Sequence, residues 1–135
     1  MARRNARPKP TQEQFLEPAR TECPACGRTM GADYSNHRTV VTLDGLVRLH
    51  LKIRRCRSAD CARFHRPYRP EAEGVFALPQ QEVGLDVIAQ VGAWRYAAHQ
   101  SVPEIHRRLQ ARGVDLAERT VTYLLERYDE LLALS

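Results

Sequence analysis

The sequence predicts an α+β fold: a small β-hairpin segment that carries all four cysteines, followed by a three-helix unit. Three observations predict it. The cysteines fall into two short-spaced pairs, Cys23/Cys26 and Cys56/Cys61, both in the first half of the chain. Between the pairs, the run LVRLHLKIRR alternates apolar and polar residues with period two. From Gln81 onward the apolar residues recur at helical spacing, with a helix-start signature at Ser101-Val-Pro-Glu104 and a break at Gly113.

In order along the chain, residues 1–21 (opening MARRNARPKP) place four basic residues ahead of the first acidic one and read as a basic flexible arm. Two readings fit such an arm: a solvated tail, or a segment that enters a DNA minor groove. After CPACG, a loop is expected to about Asn36, then a strand in RTVVTL. A hairpin turn at Asp44-Gly45 follows, of the kind in which both central residues take positive φ. The next strand puts Val47, Leu49, Leu51 and Ile53 on one face and Arg48, His50, Lys52 and Arg54 on the other, and it delivers Cys56 to its end. Residues 67–80 hold prolines and show no helical or strand period, so they read as a linker or an extended wrap.

In the helical part, Val87, Ile88, Val91, Trp94 and Ala98 share one stripe. Trp94 and Tyr96 read as core packing in preference to base stacking. In the second helix Ser101 and Glu104 form a capping box, Pro103 sits where no hydrogen bond is lost, and Ile105 and Leu109 face inward. Gly113 supplies the left-handed residue that ends that helix. The third helix, from about Ala117 to Leu134, turns Val121, Leu124, Leu125, Tyr128, Leu131 and Leu132 inward. Three helices with a tight turn between the last two form a helix-turn-helix pattern. Ala117 stands at the start of the third helix without a capping side chain unless Asp115 substitutes.

Cys-x2-Cys and Cys-x4-Cys, brought together by a hairpin, form the ligand pattern of a zinc ribbon: four thiolates at the corners of a tetrahedron. Pro24 and Gly27 shape the first knuckle. The expected cofactor is one structural Zn2+ held by Cys23, Cys26, Cys56 and Cys61, its shell filled and closed to water. Disulfides and free thiols are the alternatives. His37, His50 and His65 are expected at the surface, because four cysteines complete the shell. A segment of about 45 residues has little core of its own, so a metal there would contribute to folding itself.

Charge is uneven. Residues 1–74 carry 15 Lys and Arg against 8 Asp and Glu, whereas residues 75–135 carry 6 against 8. Of the 21 cationic residues only Lys9 and Lys52 are lysines. Arginine's planar fork suits phosphate, and codon bias explains the ratio equally well. In a helix-turn-helix the start of the last helix enters the major groove. Glu118, Arg119, Thr122 and Tyr123 are therefore the base-reading candidates, and Arg107, Arg108, Thr120 and Arg127 the phosphate-contacting ones. Arg48, Lys52, Arg54 and Arg55 would add phosphate contacts from the hairpin. A solvated helix face is the plain alternative for each helical residue. No long apolar run follows the basic start, so no signal peptide or membrane span is expected.

The combination of CPACG, RRCRSADC and the segment from GLDVIAQVGAWRYAAHQ through EIHRRL to ERTV resembles the N-terminal zinc-ribbon and helix-turn-helix region of bacterial insertion-sequence transposases, over about residues 22–134. The resemblance implies sequence-specific binding of double-stranded DNA at terminal inverted repeats, and a bacterial, nucleoid-associated, cytoplasmic setting. In that family a catalytic domain with acidic residues follows. This chain stops at Ser135, and no catalytic residue is expected in it. The expected divisions are 1–21 arm, 22–66 zinc ribbon, 67–80 linker and 81–135 helix-turn-helix. The competing readings are a free-standing zinc-ribbon regulator and a protein-binding adaptor that uses Leu131, Leu132 and Leu134. Partners other than DNA would be a second copy of the chain or a separate catalytic or regulatory protein.

Overall fold

A computed structural model describes residues 9–134. The fold is mixed α+β, with a four-stranded sheet and four helices among the described residues. Two compact units divide the chain. One holds the residues up to Thr39 together with Leu46–Phe76, and the other holds Val40–Gly45 together with the chain from Ala77.

The first unit is built around β3 (Gly45–Arg55), whose neighbours are β1 (Gln12–Leu16) and β2 (Gly31–Thr42). The period-two pattern of β3 is realised in full: Val47, Leu49, Leu51 and Ile53 are each 3% exposed or less, while Arg48, His50, Lys52 and Arg54 lie on the open face. β2 begins at Gly31, so the expected loop to Asn36 is strand. The hairpin turn also differs. Its central residues are Leu43 and Asp44, and only Gly45 takes positive φ (115°). The Thr42 hydroxyl completes the turn by accepting from the Asp44 amide at 3.2 Å and donating to the Gly45 carbonyl at 2.7 Å.

Two segments expected outside the hairpin are part of the sheet unit. Within the expected arm, Gln12–Leu16 pairs in parallel with Val47–Leu51, and the Thr11 amide donates to the Leu46 carbonyl at 2.9 Å. The cause is non-local: β3 has a second edge of backbone donors and acceptors to satisfy. The basic residues at positions 3, 4 and 7 lie outside the described residues. Within the expected linker, β4 (Pro67–Tyr68) pairs antiparallel with Arg54 and Arg55, and a single turn, α1 (Glu73–Phe76), follows.

Glu73 is buried between two arginines. Arg69 donates to its carboxylate at 2.7 and 2.9 Å, and Arg38 at 3.0 Å. Arg69 first, and then Arg38, hold the Glu73 pKa below its ordinary value against the opposing effect of burial. A carboxylate with a lowered folded pKa stabilises the fold above the usual glutamate range, and that contribution is lost as pH falls through the lowered value. Glu73→Gln is therefore expected to cost about 2 kcal/mol at pH 7. Urea midpoints of variant and wild type should converge toward acid, where wild-type Glu73 becomes neutral as well. A difference independent of pH would contradict this account.

The second unit packs α2 (Leu85–Tyr96), α3 (Val102–Ala111) and α4 (Glu118–Ala133) around Val87, Ile88, Val91, Ile105, Leu109, Val114, Val121, Leu124 and Leu125. Its other segment, Val40–Gly45, runs beside the entry to α2. The Val41 amide donates to the Glu82 carbonyl, the Gly84 amide donates to the Val41 carbonyl, and the Leu43 amide donates to Asp86. The helical unit thus recruits a strand segment that the predicted division at 81 leaves out.

The capping box at the start of α3 is present in both directions, from the Glu104 amide to Ser101 Oγ and from the Ser101 amide to Glu104. At the end of α3, Gly113 takes φ 91°. The Val114 amide donates to the Leu109 carbonyl and the Gly113 amide to the Gln110 carbonyl, closing a Schellman turn with Val114 buried. His106 Nε2 lies 2.7 Å from the Leu116 carbonyl and ties α3 to the connection that follows.

Ala117 begins α4 with no side-chain cap, and Asp115 does not substitute, so the start forgoes about 1 kcal/mol relative to serine. Three inward expectations fail at helix ends. Tyr96, read as core packing, is 51% exposed, Ala98 lies beyond α2 and is exposed, and Leu132 is 55% exposed while Leu131 before it packs against the core.

Candidate metal centre and candidate nucleic-acid interface

The four cysteine sulfurs lie within 4.8 Å of one another, the only such cluster of ligating side chains among the described residues. Cys23 Sγ is 3.7 Å from Cys61 Sγ, and Cys26 Sγ is 3.7 Å from Cys56 Sγ. A tetrahedral ion with thiolate bonds of ~2.3 Å sets sulfur–sulfur edges of about 3.8 Å, so the cage has the size a metal requires. Each pair therefore contributes one sulfur to each short contact, and none of the four is in a disulfide.

Local turns create this geometry. The Cys23 amide donates to the Arg28 carbonyl and the Gly27 amide to the Cys23 carbonyl, with Gly27 at φ 75°. This knuckle turns the backbone amides of Cys26 and Ala25 toward Cys23 Sγ, and against the opposing effect of burial these amides, with the Cys61 and Cys26 side chains, lower its pKa to about 6. On the second side Cys56 ends β3. The Cys61 amide donates to the Ser58 carbonyl, and the Arg63 amide donates to Cys61 Sγ at 3.4 Å. That amide favours the Cys61 thiolate, but burial and the three neighbouring sulfurs outweigh it and push the Cys61 thiol up. Four sulfurs at this spacing do not all ionise without a cation among them. Cys23, Met30 and Cys56 are buried around the cage, and Arg28 pairs with Asp60 across its rim at 2.7 and 3.3 Å. With four protein ligands the site is closed, which fits a structural metal. None of the three histidines considered above joins it.

The predicted DNA-contacting residues fall into two groups, one in each unit. On α4, Glu118, Arg119, Thr122 and Tyr123 are exposed on the first turns, while Val121, Leu124 and Leu125 point into the core; Thr120 is half-buried. Arg107 and Arg108 are exposed on α3, the latter with its guanidinium 4.5 Å over the Trp94 ring. Arg127 lies over Tyr123 at 4.7 Å and pairs with Glu130.

On the sheet, Arg48, Lys52 and Arg54 share the open face, and Lys52 Nζ is 3.9 Å from Glu17. Arg55 points the other way and meets Asp33 at 2.9 Å, so this cation is already neutralised within the unit. Sequence reading missed a cluster on that same open face: Phe15, His37 and His50 in ring contact. Nothing in QEQFLE signals it, because the parallel pairing that brings Phe15 beside His50 spans 35 residues of chain.

Fold and site together define a mixed α+β chain with a closed four-cysteine cage able to hold a metal ion. No protein-family model, curated protein or solved structure matches the chain. No helix among the described residues is long and apolar enough to cross a membrane.

Proposed function

We propose that this chain is a sequence-specific double-stranded DNA-binding module whose first unit is a zinc ribbon and whose second unit reads the major groove through the start of α4. The observation that carries the reading is the placement of Glu118, Arg119, Thr122 and Tyr123. They are exposed at the N-terminal end of a helix that follows a tight turn, with the partner helix α3 buried against it. Arg119 is suited to guanine O6 and N7, and Glu118 to cytosine N4. An all-thiolate tetrahedral cage suits zinc or iron, and the CPACG knuckle and hairpin favour one structural zinc. The finer role, recognition of transposon terminal inverted repeats, rests on the resemblance of the chain's motifs to the insertion-sequence region.

Selection from random duplex pools, followed by binding at about 0.1 M salt, tests the reading. Arg119→Ala is expected to relax preference at one base position, a loss of about 1–3 kcal/mol there, whereas Arg54→Ala weakens all sequences alike. Equal effects of the two would remove the assignment of roles. An intact, metal-loaded chain that binds no duplex would favour the adaptor reading, for which Leu132 and Leu134, 55% and 84% exposed, supply the contact.

A further inference from the structure

We propose that the open face of β1 and β3 is a stacking platform for a base of single-stranded nucleic acid, with Phe15 as the stacking ring and Arg48, Lys52 and Arg54 as the cations that meet the phosphates.

Phe15 is 75% exposed although it sits within a paired strand. Its ring lies flat on the His50 imidazole, with centroids 4.4 Å apart and planes 9° from parallel. That imidazole is fixed at both nitrogens, since Nε2 is 3.2 Å from Glu13 Oε1 and Nδ1 is 2.9 Å from His37 Nδ1. In the neutral tautomers that satisfy both contacts, His50 Nε2–H donates to Glu13 and His37 Nδ1–H donates to His50. The ring of Phe15 is thereby held in place with its other face turned to solvent, which lowers the ordering cost of receiving a planar ligand.

Beside it opens a cleft of about 480 Å³ lined by Phe15, Glu17, Ser35, His37, His50 and Lys52 among others, within the size range of ligand sites. Charge favours a polyanion. Arg48, Lys52 and Arg54 project from the same face of β3; against them Glu13 is engaged with His50 and Glu17 lies 3.9 Å from Lys52, which leaves the face with one more cation than carboxylate. Exposed aromatic rings on a sheet with cations alongside are how proteins bind unpaired bases. Single strands are favoured over duplex because the base faces of a duplex are already stacked on one another, out of reach of a ring lying on a sheet.

Both readings draw on the cations of β3, and they are separable at Phe15, which the duplex reading does not use, and at Arg119, which the stacking platform does not use. The experiment uses the full metal-loaded chain and measures anisotropy of a labelled single-stranded 12-mer at about 50 mM salt, with the matching duplex in parallel. Phe15→Ala is expected to weaken single-strand binding about tenfold, Phe15→Trp to retain it, and Arg119→Ala to leave it unchanged. Because Phe15 is exposed, these variants should keep the fold and metal content of wild type. Absence of single-strand binding, or equal affinity of the alanine variant and wild type, would overturn the proposal. So would a Phe15→Ala change in oligomeric state by light scattering, which would make the patch a contact between copies.

Discussion

Replacing Cys56 by serine is expected to abolish metal binding and to unfold the sheet unit while the helical unit keeps its α2–α4 core. The reason is how little apolar material the sheet unit buries. Its fully buried hydrophobic residues among those described are Met30, Val47, Leu49, Leu51 and Ile53, besides the ligands Cys23 and Cys56 themselves. Structural zinc in comparably small units contributes on the order of 10–16 kcal/mol of apparent binding energy, and that energy is folding energy. Serine offers no thiolate, and at Cys56, buried at the end of β3, it also leaves a polar group without a partner.

Native mass spectrometry should show one zinc on wild type and none on the variant. Limited proteolysis should then open the region between β1 and β4, as chelation of wild type should too. Circular dichroism should lose strand signal and retain most of the helix. A variant that keeps both zinc and protease resistance would show that the cage is not what folds this unit.

Gly92→Ala should destabilise the helical unit by about 2 kcal/mol, lowering its melting temperature by roughly 10 °C. At an exposed helical position the same change is stabilising by up to ~1 kcal/mol. Gly92 is buried in α2, and a Cβ there would lie 2.3 Å from Cδ2 and Cε2 of Tyr128 on α4. The ring has little freedom to withdraw. It stacks on Tyr96 at 5.8 Å, and the Tyr96 hydroxyl donates to Asp129 on the next residue of α4 at 2.7 Å. Insertion of one methyl must therefore move α4 away from α2 or force Tyr128 off its rotamer. Combining Gly92→Ala with Tyr128→Leu should recover much of the loss by removing the clashing ring edge. Thermal melts of the single and double variants check this, and a stabilised single variant would contradict it.

Gly92 was not legible in the sequence, where glycine inside a helical pattern carries no mark of what packs against it. The residues that were legible share a property: their signal lies within a few neighbours along the chain. The capping box needs only Ser101 and Glu104, and the end of α3 needs only Gly113. The alternation in β3 identifies its buried face without reference to what covers it. The Cys-x2-Cys and Cys-x4-Cys spacings limit the donors to a few geometries, and the intervening hairpin brings the pairs together.

The features that were missed depend on partners far away in the chain. β1 exists because β3 has an open edge, and residues 10–16 contain little that announces a strand. Glu73 sits in a proline-rich stretch and is defined by Arg38, 35 residues distant. Phe15 gains its platform only when parallel pairing sets it beside His50.

The four cysteines, the buried face of β3 and the limits of α3 were thus determined by the sequence itself, because local backbone chemistry and ligand spacing leave few alternatives. Whether the four sulfurs reach the distances of a tetrahedral cage, which sheet edge β1 satisfies, how Glu73 comes to lie between two arginines and why α2 needs a glycine at 92 were decided only by the tertiary structure. Each of these depends on a distance between atoms that chain order does not specify, and packing at native density leaves a methyl or a single charge nowhere else to go.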